Sequence, residues 1–140
     1  MNVEVTVLGD PIRAETEQLD EGWDLAVYGG VRTHVGAVSL SDGCGGVETL
    51  QRPGHRDAVI SERWAARLAE AWRAPVCARC GIQYHEPTRA QLAEIVAACD
   101  ALLEKLIFLE RCEEVQKNEK RNTRGQFDDG AGGLPRQVDV

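Results

Sequence analysis

The hydrophobic periodicity of this chain changes once along its length, and that change limits the folds open to it. From Asn2 to Gln51 apolar positions recur at every second residue; beyond Arg56 they recur at helical spacing, with one strand-like interruption. Val3, Val5 and Val7 alternate with Asn2, Glu4 and Thr6, the pattern of a half-buried strand. After the Asp10-Pro11 turn signal, Ile12 to Leu19 alternates again, with Arg13, Glu15 and Glu17 on one face. Asp20-Glu21-Gly22 reads as a hairpin loop and Trp23 to Tyr28 as the returning strand. Gly29-Gly30 breaks the chain. His34 to Leu40 is expected as a fourth strand and Val47 to Gln51 as a fifth. The Gly-rich segment between them, Ser41 to Gly46, lacks the GK[ST] ending of a phosphate-binding loop and reads as a hairpin turn.

The second half is read by the same rules. Pro53-Gly54 ends the fifth strand, and a helix is expected over about 56–72, with Trp64, Ala65, Leu68, Ala69 and Trp72 as its apolar face. Pro75 to Gly81 is a sixth strand. Thr88-Arg89-Ala90-Gln91 matches a capping box, and Leu92, Ile95, Val96, Cys99, Leu102, Leu103 and Leu106 then recur at helical spacing. The helix extends towards Lys120 with a polar sequence; after Asn122 the composition shifts to Gly, Asp, Arg and Gln. The expected organisation is a single α+β domain over 1–109, a polar helix extension over 110–121 and a flexible tail over 122–140. The fold class is α+β: a mainly antiparallel sheet of about six strands with two helices on one face, the other face partly exposed or used as a dimer contact.

A chain of 140 residues supplies one modest core. It has no apolar run long enough to span a membrane. Its N-terminus lacks a basic n-region and an apolar h-region, so no signal peptide and a cytoplasmic location are expected. A net charge of −7 argues against nucleic-acid binding. The charge is uneven, however. Residues 31–90 hold eight Arg, no Lys and six acids, and are the only one of the segments 1–30, 31–90 and 91–140 with a positive balance. Arg favours planar, bidentate contacts to phosphate or carboxylate. The five Cys are expected as free thiols. Cys77-Ala78-Arg79-Cys80 has CxxC spacing, but on a strand residues three apart point to opposite faces, so the two thiols would diverge.

The three histidines lie in this Arg-rich segment, each at a predicted strand end or junction: Thr33-His34-Val35-Gly36, Arg52-Pro53-Gly54-His55-Arg56 and Gly81-Ile82-Gln83-Tyr84-His85. The Pro53-Gly54 junction leads into a helix N-terminus, where free N–H groups and the helix dipole favour an anion. Arg52 and Arg56 add charge there. Gln83, Tyr84 and His85 are expected to line the mouth of the next strand–helix junction, with Tyr84 suited to lie against a ring system. The histidine spacings carry no metal signature, so no metal ligands are assigned. There is no Gly-x-Ser-x-Gly elbow for a hydrolase.

Taken in order, these segments resemble the LpdD-like prenylated-flavin chaperones, accessory proteins of UbiD-type decarboxylases. The resemblance covers about residues 23–108 and rests on Gly29-Gly30, His34-Val35-Gly36-Ala37-Val38, Pro53-Gly54-His55-Arg56 and Gly81-Ile82-Gln83. Gln83 stands where the family has a third His, with His85 two residues on; Thr33 stands where a proline is often found. The resemblance implies a fold like that of small proteasome-assembly chaperones, a homodimer, and binding of reduced prenylated FMN, or FMN, for delivery to a UbiD-type decarboxylase or for support of its maturation. On this reading Arg32, Arg52 or Arg56, with backbone near Gly54, would bind phosphate. His34, Gly36, His55, Gln83, Tyr84 and His85 would border the ring. The chain would then be a carrier and not a catalyst. Two rivals stay open: an interaction module that has lost the ligand, and a small enzyme using His55 or His85 as acid or base.

Overall fold

The strand-like alternation at the start of the chain becomes a three-stranded meander in the computed structural model, which describes residues 1–125. β1 (Asn2–Val7) pairs antiparallel with β2 (Asp10–Gln18), and β2 with β3 (Trp23–Gly30). The register places Val3, Ala14 and Val27 side by side, so the alternating apolar residues share one buried face. The opposite face carries Glu4, Arg13, Glu15 and Glu17, with Arg13 Nε 3.7 Å from Glu4. Leu8 and Gly9, both at positive φ, make the tight β1–β2 turn.

β4 (Ala37–Ser41) and β5 (Val47–Gln51) form a second hairpin, and α1 (Ala58–Trp72) leads from β5 to β6 (Val76–Gln83). β6 inserts between the two hairpins, parallel to β3 and antiparallel to β4, giving the order β1-β2-β3-β6-β4-β5. A central strand must be apolar where helices cover it, and Val76, Ala78 and Cys80 are buried there. The alternate residues Cys77 and Arg79 face away, Arg79 lying 3.5 Å from Asp24 of β3. Cys77 and Cys80 are therefore on opposite faces and unbonded.

α1 lays Trp64, Ala65, Leu68 and Ala69 on the sheet. It ends at Arg73, whose left-handed backbone (φ 50°) turns its N–H back to the Ala69 carbonyl. α2 (Arg89–Arg124) starts with the expected capping box: Gln91 N–H donates to Thr88 Oγ1 at 3.1 Å, and Thr88 N–H to Gln91 Oε1 at 2.9 Å. Ile95, Cys99, Leu102, Leu103 and Leu106 are buried beneath it, and Arg63–Asp100 (2.7 Å) and Arg67–Glu104 (3.2 Å) join the two helices on the solvent side. The expected α+β class, a mostly antiparallel sheet with two helices on one face, is the fold observed.

Met1–Phe108 form one compact unit, and a second begins at Leu109. The helix remains helical through Arg124, so Asn122 to Arg124 do not belong to a tail. The remainder of the expected tail, 126–140, lies outside the described residues. Among the described residues no helix is long and apolar enough to cross a membrane.

Three local expectations shift. β4 begins at Ala37, not His34, because Gly36 is drawn off as a connector, its N–H bonded to the Cys80 carbonyl and its C=O to Arg52 N–H. α1 begins at Ala58, one residue past Asp57. β6 runs on to Gln83, since the parallel pairing with β3 continues to Gly30 and Val31 N–H closes on the Gln83 carbonyl at 2.8 Å.

Candidate functional site

Asp57 is the residue around which the site is built, and sequence reading passed over it. An Asp immediately before a helix reads as an N-cap. Here its side chain caps nothing. It turns inward and is buried, and its two oxygens do different jobs. Oδ1 accepts the Ile82 N–H at 2.9 Å and lies 3.9 Å from the Cys80 thiol. Oδ2 faces His34 Nε2 at 3.0 Å and His55 Nδ1 at 3.7 Å. The imidazole rings are 4.8 Å apart, tilted by 37°. Burying a carboxylate is costly unless its oxygens find partners, and this one accepts the Ile82 N–H and has two imidazoles against its second oxygen.

Two glycines make the approach possible. A Cβ on Gly36 would collide with the Asp57 carboxylate, and one on Gly81 with the His34 backbone carbonyl. The Gly36 of the His34 motif is thus needed for close contact rather than for a turn. The sequence signal that could have found Asp57 was this glycine, whose missing side chain leaves space for another residue.

A cavity of about 570 Å³ opens beside the cluster. Its polar end is formed by His34, Gly54, His55, Arg56, Asp57 and Gln83. Its wall is apolar, from Val59 and Ile60 of α1, Ile82 of β6, and Leu92, Ile95 and Val96 of α2. Val59, Leu92 and Val96 are exposed, so the apolar surface extends to the mouth. Periodicity put Leu92, Ile95 and Val96 on one helical face, and it could not separate a core face from a cavity wall. Tyr84 also lines the cavity, but its hydroxyl is committed, donating to the Val7 carbonyl at 3.0 Å. Burial, and then the charge of Asp10, push that phenol above its ordinary value.

Of the ten residues singled out from sequence, His34, Gly54, His55, Arg56, Gln83 and Tyr84 line this one cavity. Gly36 lies behind it, under Asp57. Arg32, Arg52 and His85 are exposed and outside the lining, and Arg52 is engaged with the Val35 carbonyl at 3.0 Å. The helix-start anion site is partly occupied as well: the Ala58 N–H is taken by Gln51 Oε1 at 2.9 Å. Arg56 is therefore the arginine that the fold brings to the cavity.

The thiol chemistry around the cluster is quiet. Burial first, and the neighbouring Asp57 charge second, raise the Cys80 pKa far above the ordinary thiol value. Cys99 is pushed up to about 12, chiefly by burial. Both stay protonated and behave as core side chains.

A family model described as the prenylated flavin chaperone LpdD-like domain matches residues 8–110. No curated protein matches the chain.

Proposed function

The chain belongs to the prenylated flavin chaperone LpdD-like family, and from that premise we propose that it holds reduced prenylated FMN in the cavity between α1, β6 and α2 and passes it to a UbiD-type decarboxylase. The observation that carries the reading is the composition of that cavity. Its volume lies within the range of about 300–1,000 Å³ usual for small-molecule sites. Its apolar wall suits a fused ring system, and its polar end, with Arg56 and two imidazoles beside the Asp57 carboxylate, offers donors to a phosphate. Gln83 borders the ring with an amide where the family has an imidazole. Arg56 takes the phosphate role that sequence reading shared among Arg32, Arg52 and Arg56.

The mouth supports transfer rather than storage. Val59, Leu92 and Val96 are 66%, 46% and 41% exposed around it, which gives a receiving enzyme an apolar rim to dock on. On the outer face of the sheet, Leu40 and Leu50 are also exposed on adjacent strands, and we read this patch as the contact of a homodimer. Analytical ultracentrifugation of Leu50→Glu tests that contact: a dimer should become a monomer.

The test of the carrier role is co-expression with a prenylated-FMN synthase, anaerobic purification and native mass spectrometry. One prenylated FMN per chain is expected, and mixing with an apo-decarboxylase should restore decarboxylation. A chain that stays flavin-free where a related chaperone retains flavin would sink the proposal. An interaction module without ligand would keep its partner complex in the His34→Ala, His55→Ala chain.

A further inference from the structure

We propose that His34, His55 and Asp57 form a binding site for one divalent transition-metal ion at the polar end of the cavity. The histidine spacings in sequence carry no metal pattern; the fold makes one by adding Asp57. Three donor atoms, one from each residue, lie within 4.8 Å of one another. Donors around such an ion stand about 3 Å apart, so side-chain adjustment closes the set. A structural hydrogen bond would need a single imidazole on the carboxylate. Here a second imidazole converges on the same oxygen, at 3.7 Å beside the first at 3.0 Å. Two imidazoles and one carboxylate suit a first-row transition ion and leave coordination positions free.

The surroundings are arranged as a metal site's are. Asp57 Oδ1 is held by the Ile82 N–H, which presents Oδ2 to the imidazoles. His34 Nδ1 lies 3.5 Å from the Arg32 carbonyl, which turns Nε2 towards the cluster. Gly36 and Gly81 keep the space behind these ligands clear. All three residues line the cavity, so the free positions of the ion open onto it, with Arg56 on the same wall. An ion and a guanidinium together attract an anionic oxygen group. That this group is the flavin phosphate rests on the carrier reading above; the ion site itself does not.

The test uses the full chain, flavin-free and stripped with EDTA, in a Cys44→Ala, Cys112→Ala background that removes the two exposed thiols. Co²⁺ is titrated and followed by visible absorption, and Zn²⁺ and Mn²⁺ by calorimetry. One ion per chain is expected. His55→Ala and Asp57→Asn should each weaken it at least about tenfold, with circular dichroism reporting whether each variant is folded. His55 is half-exposed, so its variant serves if Asp57→Asn does not fold. A stripped chain that takes up none of the three ions, or a folded His55→Ala that binds as tightly as the parent, overturns the proposal. Flavin loading separates the two readings. Flavin retained by a chain that binds no ion overturns the ion site alone; an ion bound without flavin loading upholds it and overturns the carrier reading.

Discussion

The two halves of the sheet are held together by different means. In β1–β2–β3 each strand pairs with its neighbour in sequence, and the buried face is almost wholly apolar. In β6–β4–β5 the central strand arrives last in the chain, and polar groups are buried beneath the hairpin. Ser39 bridges Thr49 (2.7 Å) and Ser61 (2.8 Å), and Asp57 ties the β6 backbone to two histidines. The first half tolerates local change because each contact is one of many similar ones. The second is a set of specific approaches, each needing a particular atom or a particular absence of one, and the cavity is found there.

The largest test of this contrast is a matched pair of glycines. Gly81→Ala drives a Cβ into the His34 backbone and should cost about 3 kcal/mol or more. Gly9→Ala, in the first hairpin, meets nothing within 4 Å and is disfavoured only by its positive φ, at about 1 kcal/mol. Urea midpoints decide it; equal losses would erase the distinction. Next in size, Ser39→Ala should cost about 1–3 kcal/mol, because the Thr49 and Ser61 hydroxyls lose their shared buried partner. Thermal unfolding of this variant beside Ser39→Thr separates the lost hydrogen bonds from packing. Smaller again, Arg13→Ala breaks an exposed pair with Glu4 and should change stability by less than about 0.5 kcal/mol.

The last test leaves neutral-pH stability untouched. Iodoacetamide at pH 8 should label Cys44 and Cys112 and spare Cys80 and Cys99, read by mass spectrometry. The folded chain holds the Cys99 thiol proton up to about 12, against 9.0 for a free thiol. Its contribution is therefore present below pH 9 and lost as pH rises from 9 towards 12. Thermal midpoints should fall over that window, less steeply in Cys99→Ala.

Most of the fold could be read in advance, since alternation, turn residues and the Thr88–Gln91 capping box are local signals. The site was read in part. His34, His55 and Gln83 were found by their place at junctions, and the fold does bring them to one cavity. His85 was read as a neighbour of Gln83, yet β6 ends at Gln83 and His85 is left exposed. Arg52 is one of three arginines expected at the phosphate, and the fold sets it outside the cavity lining with Nη1 on the Val35 carbonyl. Both placements have one cause: a junction residue's direction is set by the neighbouring strand, not by its own segment.

The sequence by itself determined the order of strands and helices, which faces are apolar, and where backbone breaks occur, because these follow from steric and hydrophobic patterns spanning a few residues. Only the tertiary structure decided that β6 would lie between β3 and β4. With that choice came the meeting of His34, His55 and Asp57 on one buried carboxylate oxygen. Contacts between residues more than twenty positions apart depend on which strands pair, and pairing is settled by the burial of whole faces rather than by any one segment.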